Sequence, residues 1–467
     1  MSRRPPRSRP RRPVDPARRA AFDALRSVHA AGAYANLALS DILDRRRLDD
    51  RDAALATELV AGTGRLEGTY DAILVAAAGR PLSSLQPAVV DVLRLGTHQV
   101  LSMRIPTRAA VDSAVDLAGA AIGERVTGLV NAILRKVAAR DLDEWLDVLS
   151  ADLTGVARLS VRTHHPRWIT QTYADLLGEE AAEALEADNV APRPTLVVRP
   201  GLAERDELVE AGAAPTRWSP YGAVLDGNPA DLAVVREGRA GVQDEGSQLV
   251  ALALSRVDAP AGRWLDMCAG PGGKAALLTG LARARGEDLL AAELQEHRAD
   301  LVARGLRAFT PPVGVICADG TQPAWPPKTF ARVMLDAPCT GLGALRRRPE
   351  SRWRHQAEDV DELAPLQTRL LMTALRSTLP GGVVAYVTCS PHEAETEDIV
   401  QAAVEEWNAL SGHPHGTPAV ELLDAPSYLP EVPDCARTDP WGGHRFAQLW
   451  PHRHGTDAMF LALLRVL

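Results

Sequence analysis

An α/β domain preceded by a helical bundle is the architecture that this 467-residue sequence predicts, and three observations predict it. From about Gly241 onward, short apolar runs bounded by turn residues alternate with stretches of helical periodicity, the pattern of a parallel sheet covered on both faces. Between the first such run and the following helix stands a glycine-rich turn, Cys268-Ala269-Gly270-Pro271-Gly272-Gly273-Lys274. Ahead of this domain, from Val14 to Glu144, apolar residues recur at helical spacing and strand signals are scarce.

Composition narrows the class. The length predicts two or three domains, and 46% apolar with 24% charged residues is ordinary for a globular chain. No apolar run is long enough to cross a bilayer, so no membrane association is expected. Residues 1–13 carry six arginines among prolines without a following apolar stretch. They read as a disordered basic tail, able to touch phosphates or merely to solubilise, and not as a secretory signal. Five cysteines without a CxxC pair or clustered histidines indicate neither a disulfide framework nor a metal site, and cytoplasmic residence is the expectation. A net charge of −8 argues against a uniformly basic coat, so nucleic-acid contact would have to come from local patches.

In the 14–144 region Phe22, Leu25 and Val28, then Leu55, Leu59 and Val60, then Val89, Val92 and Leu93 mark helical faces. Gly62-Thr63-Gly64, Arg80-Pro81 and Ile105-Pro106 mark breaks, giving a compact all-α bundle. Residues 145–240 mix a helical stretch with the strand-like Thr195-Leu196-Val197-Val198 and read as a small α+β connector. His164 and His165 precede Pro166 without acidic or thiol partners at ligand spacing, which makes a poor metal motif. Asp244 and Glu245 fit the start of a helix feeding the last domain, 241–467.

In that domain Trp264 to Met267 is the first strand, and the glycine turn follows it directly, where missing side chains let backbone approach a ligand. Alanine at 275 stands where a nucleoside triphosphate loop needs a hydroxyl, so that ligand is disfavoured. The next strands end in Glu293, Asp319 and Asp336. Each acid could cap a helix; equally, all three would meet the glycine turn at the carboxyl rim of a parallel sheet, in a pocket suited to a cationic, adenosine-containing ligand such as S-adenosylmethionine.

The fourth strand runs into Asp336-Ala337-Pro338-Cys339 and the fifth, Val383 to Val387, into Thr388-Cys389-Ser390. Neighbouring strand ends would therefore deliver two thiols to one site, whereas buried inert cysteines need no such placement. Carbon-5 of a pyrimidine is a poor nucleophile, and thiolate addition at carbon-6 activates it.

Several segments carry a resemblance. Gly32-Ala33-Tyr34-Ala35-Asn36, Arg51-Asp52 with Glu58 to Thr63, and Gly128 to Arg135 resemble the NusB-like RNA-binding helical domain. The glycine loop, both cysteine motifs, Leu342 to Trp353 and Leu449 to Asp457 are similar to the RNA cytosine-5 methyltransferase family, in its small-subunit ribosomal RNA branch. The resemblance implies a Rossmann-like catalytic domain using S-adenosylmethionine, held by Cys268, Ala269, Gly270, Pro271, Gly272, Gly273, Lys274, Glu293, Asp319 and Asp336. It further implies Cys389 as nucleophile, Cys339 in product release and Asp336 in support of ring protonation. The reverse assignment, with Cys339 attacking, stays open, as does the geometry of Glu293, which stands where many members have Asp.

RNA, small-subunit ribosomal RNA first, is the implied partner, contacted by the helical domain, the run Arg346-Arg347-Arg348 and the basic tail; a solvated surface is the alternative for that run. Transfer RNA as substrate, or a non-catalytic assembly factor, are the competing readings. Protein partners and oligomeric state are not legible.

Overall fold

The structure is a computed structural model that describes residues 14–31, 33–410 and 419–467. The expected basic tail, 1–13, lies outside them. The chain divides into two compact units, one formed by Met1–Asn189 with Arg348–Arg354 and the other by Val190–Arg347 with His355–Leu467. The stretch expected as a connector at 145–240 is thus shared, its helical part with the first unit and its strands with the second.

The first unit is all helix. Pro16–Ala31, Ala35–Arg46, Asp50–Arg65, Glu67–Ala78, Pro87–Leu101, Thr107–Ala121 and Thr127–Val137 enclose one core built on Phe22, Leu25, Leu59, Tyr70, Ile73, Leu93 and Leu134. Phe22 and Leu25, like Tyr70 and Ile73, lie three apart within one helix and so share a buried face. Gly79, at φ +70° after Ala78, stops its helix by donating its amide to Val75. Short helices Leu142–Ser150, Gly155–Arg162, Arg167–Leu177 and Ala181–Ala187 complete the unit, the first fixed by a reciprocal Asp141/Glu144 capping box. Arg352, returning from far along the sequence, is fully buried here and donates to the carbonyls of Arg65, His164 and Asp188 and to Asn189 Oδ1.

The second unit opens with a small antiparallel sheet, β1 (Thr195–Val198), β2 (Ala214–Pro215), β3 (Gly222–Val224) and β4 (Ala240–Val242), in the order β2-β3-β1-β4. The large sheet comprises β5 (Trp264–Asp266), β6 (Leu289–Glu293), β7 (Gly314–Cys317), β8 (Phe330–Asp336), β9 (Thr378–Thr388), β10 (Val420–Leu423), β11 (Ala436–Arg437), β12 (Phe446–Gln448) and β13 (Phe460–Val466). Its order is β11-β12-β13-β9-β8-β5-β6-β7, with β10 also pairing β13. Strands β5 to β9 are mutually parallel, and β10 to β13 pair antiparallel. The sheet is therefore mixed: the expected parallel strands are β5 to β9, and four antiparallel strands extend it beyond β9.

Alternation along the central strands feeds two cores. Val383, Ala385 and Val387 of β9 face one side with Leu461 and Leu463, while Val384 and Tyr386 face the other with Phe460, Ala462 and Leu464. Such strands read as continuous apolar runs because both faces are covered. The order reverses between β5 and β8, adjacent strands whose successors lie on opposite sides. Ligands of open α/β sheets bind outside the carboxyl ends of strands at such a switch point. Among the described residues, no helix is long and apolar enough to cross a membrane.

Candidate active site

The glycine turn leaves β5 at this switch point, and the helix Gly273–Arg283 begins directly after it. Gly272 holds φ +110°, and a Cβ there would press on the Val302 backbone at 3.1 Å. A Cβ at Gly270 would lie 2.3 Å from Glu293 Oε2. Positions 270 and 272 therefore favour glycine, which leaves the backbone there open to close approach.

Glu293, at the end of β6, is buried and accepts the Gly270 amide at 3.0 Å and the Gln295 amide at 3.1 Å, while Arg298 donates to the Gly270 carbonyl at 2.8 Å. Its carboxylate thus braces the turn, a task sequence reading did not anticipate, as Arg298 was not singled out. Asp319 stands just beyond β7 and accepts both the amide and the hydroxyl of Thr321 at 2.8 Å, bonds that lower its pKa.

Asp336 ends β8, and Lys274 Nζ donates to its Oδ2 at 2.7 Å. Burial alone would lower the pKa of Lys274, but Asp336 outweighs it, so the ammonium is retained. Asp266, fully buried at the end of β5, was missed because the strand was read one residue too long. Neither of its oxygens makes a hydrogen bond of good geometry, although the Cys268 backbone lies near enough to favour the charged form. Burial and the neighbouring Asp336 push its pKa up to about 7.

Two loops bring the thiols together: Cys339 Sγ and Cys389 Sγ are 3.6 Å apart and both half-buried. The Cys339 pKa is raised well above the usual thiol range, first by its hydrogen bond with Cys389 and then by burial, so Cys339 keeps its proton. Lys274 and Arg347 both feel the charge of Cys389, which puts two cations in the field of that sulfur. Cys268, though in the glycine turn, has its pKa pushed up by burial and by Asp266, Asp336 and Glu293, which disfavours a thiolate there.

A second tier of residues holds the Pro338-Cys339 loop. Glu395, fully buried, accepts the Thr340 amide at 2.7 Å, the Thr340 hydroxyl and Gln367 Nε2 at 3.2 Å; Gln367 also donates to the Pro338 carbonyl at 2.8 Å. Gly343 donates to the Cys389 carbonyl at 2.8 Å, linking the two cysteine loops. None of these carried a sequence signal, because their partners lie 28 to 55 residues away.

The arginine run is corrected. Arg346 is 9% exposed and lies 3.5 Å from Asp244 and 3.6 Å from Asp457, and Arg347 pairs with Asp457. Two buried carboxylates claim both guanidinium groups, so they do not form a free phosphate-binding patch. Arg348 lies over the Tyr34 ring at 5.4 Å within the helical unit. Asp244 serves as the helix start expected of it, accepting the Gly246 amide at 2.8 Å ahead of Glu245–Arg256.

The residues fit S-adenosylmethionine: a turn that a Cβ at Gly270 or Gly272 would crowd, and three carboxylates, Asp266, Glu293 and Asp336, near enough to share one electrostatic field, which suits a sulfonium cation. Comparisons with known proteins agree. Residues 251–465 match the family described as 16S rRNA methyltransferase RsmB/F, and residues 15–139 match the NusB family. The chain is 48% identical, over 99% of each chain, to a Mycobacterium tuberculosis protein named only as a methyltransferase. It is 34% identical to ribosomal RNA small subunit methyltransferase B of Pseudomonas putida, over 82% of this chain and 88% of that one. The solved structure of PH0851 shares the fold at a TM-score of 0.77 and 21% identity, covering 98% of this chain and all of that one. With its NusB-type helical domain, its Rossmann-like catalytic fold and this site, the chain belongs to the RsmB/F family of S-adenosylmethionine-dependent rRNA methyltransferases.

Proposed function

We propose that the protein methylates carbon-5 of one cytidine in small-subunit ribosomal RNA, in the cytoplasm, through a covalent adduct on Cys389. The observation that carries this reading is the 3.6 Å pair of thiols beside Lys274 and Asp336. The cofactor, when bound by the Cys268–Lys274 turn with Glu293, Asp319 and Asp336, supplies an electrophilic methyl group.

An unstacked cytidine enters the pocket, and the Cys389 thiolate adds to carbon-6 while Asp336 supports protonation of nitrogen-3. Lys274 and Arg347 favour the thiolate form of Cys389, and Cys339 donates to it. Once Cys389 has become a thioether, the largest cause holding up the Cys339 pKa is gone. With that cause gone Cys339 can give up its proton to solvent. Once carbon-5 carries the methyl group, the Cys339 thiolate takes the carbon-5 proton, the C5–H electrons form the C5=C6 bond, the S–C6 electrons return to Cys389 as thiolate, and nitrogen-3 gives back its proton. RNA contact falls to the NusB-type domain, whose phosphate contacts would set affinity while the pocket and RNA shape choose the base.

The test is transfer of a labelled methyl group to unmodified small-subunit ribosomal RNA and to transfer RNA, followed by digestion to nucleosides. Label in 5-methylcytidine from the ribosomal RNA is expected. Label confined to transfer RNA would move the substrate, and label in another nucleoside would overturn the chemistry.

A further inference from the structure

The helical unit holds a cavity of about 360 Å³ that no step of methyl transfer uses. One face of the helix Asp50–Arg65 lines it with Glu58, Gly62 and Arg65, residues seven apart from first to last and so stacked along that face. Gly62 is required there, since a Cβ would stand 2.3 Å from His98 Cε1. His98 is 2% exposed, and its Nδ1 is engaged by the Tyr70 hydroxyl at 2.9 Å. Its Nε2 faces Glu58 Oε1 at 3.5 Å, a long contact that lowers the Glu58 pKa.

Arg65 is the unusual member. It is 9% exposed and feels the charge of Glu58, yet among the described residues no hydrogen bond of its guanidinium is present, and its Nε is buried without a partner. A buried guanidinium is seldom left unmatched, because its donors lose water without gaining an acceptor. Its own carbonyl is taken by Arg352, which pins the backbone while the side chain points into the cavity. His164, also lining the cavity, is held by Thr69 at 2.9 Å, and burial lowers its pKa to about 4, so it offers a neutral flat ring.

The cavity thus presents donors from Arg65 beside an acceptor from Glu58, with imidazole rings on its walls. A phosphate would gain Arg65 and Arg162 but meet Glu58 and Glu186 as repulsion. Guanine alone among the four bases sets an adjacent acceptor pair, O6/N7, beside donors on two adjacent nitrogens, N1–H and N2–H, so it can meet the Arg65 guanidinium and the Glu58 carboxylate each with two bonds. We propose that this cavity binds an unpaired guanine of the RNA substrate. The inference rests on the RNA-modifying reading above, but its test does not use methyl transfer.

Binding of guanosine, adenosine, cytidine and uridine monophosphates to the full chain is measured by calorimetry, with wild type, Arg65→Gln and Glu58→Gln. Glu58 has a half-exposed side chain, so its variant keeps the fold even where loss of Arg65 disturbs it. Guanosine monophosphate is expected to bind at least tenfold tighter than the others, each variant to lose at least tenfold, and an oligoribonucleotide with unpaired guanosines to compete. Equal affinity for all four, or unchanged affinity in Glu58→Gln, would overturn the site. Guanosine monophosphate binding without competition by the oligoribonucleotide would overturn the RNA assignment. Failure here with 5-methylcytidine still formed leaves the catalytic reading intact.

Discussion

Lys274 and Asp336 join the first turn of the helix behind the glycine loop to the end of strand β8 through a 2.7 Å ion pair. The pair couples the glycine turn to the strand end that leads into the Cys339 loop, so the two elements share one charge balance. Removing one partner of a buried pair leaves the other uncompensated. Lys274→Met is therefore expected to lower kcat by a factor of ten or more and to reduce stability by about 1–3 kcal/mol, discounted for the partial exposure of Asp336. Wild-type activity in this variant would show the pair to be dispensable.

Asp266 sets a pH dependence. Its pKa is raised by burial, and then by Asp336, to about 7, with Lys274 opposing and Glu293 adding to the rise. An acid whose folded pKa is raised contributes stability below its unfolded pKa of about 3.9 and loses it as pH rises through the folded value. Asp266→Asn cannot ionise. Its melting temperature relative to wild type is expected to climb between pH 4 and pH 8, as followed by calorimetry; a constant difference would refute the assignment.

His29 acts in the opposite range, within the helical unit. Burial lowers its pKa, but hydrogen bonds with Asp91 at 2.7 Å and Glu67 at 3.1 Å outweigh that and raise it to about 9, with Arg26 and Arg94 bound to the same carboxylates. This contribution is full below the unfolded pKa near 6.5 and is lost as pH rises through about 9, on the order of 3 kcal/mol. His29→Gln should flatten the stability profile between pH 6.5 and 9, measured by urea unfolding.

Much of this was legible in the sequence, for identifiable reasons. The glycine loop and the acids at 293, 319 and 336 follow from local rules about strand ends, and the strands carrying them were placed within a few residues. Cys339 and Cys389 were expected together because neighbouring parallel strands end on one rim, and they lie 3.6 Å apart. What sequence missed is what depends on distant partners. Arg346 and Arg347 look like a basic patch until Asp244 and Asp457, about a hundred residues to either side, neutralise them. Strand β13 was not anticipated because it pairs antiparallel with β9 from the far end of the chain.

Glu395 shows the same limit and gives a prediction. It accepts three hydrogen bonds that hold Thr340 and Gln367 under the Cys339 loop. Glu395→Ala leaves those donors buried and unmatched, at about 1–3 kcal/mol each. A fall in kcat with little change in KM for RNA is expected, since the role proposed for this loop is in product release and not in RNA contact; a change confined to KM would argue otherwise.

The central claim is that Cys389 attacks and Cys339 releases, and the most direct measurement is denaturing electrophoresis of Cys389→Ala and Cys339→Ala after incubation with S-adenosylmethionine and labelled small-subunit ribosomal RNA. The account predicts a covalent protein–RNA band in Cys339→Ala, where attack proceeds and release fails, and none in Cys389→Ala. A band in Cys389→Ala and none in Cys339→Ala would contradict it and exchange the two roles.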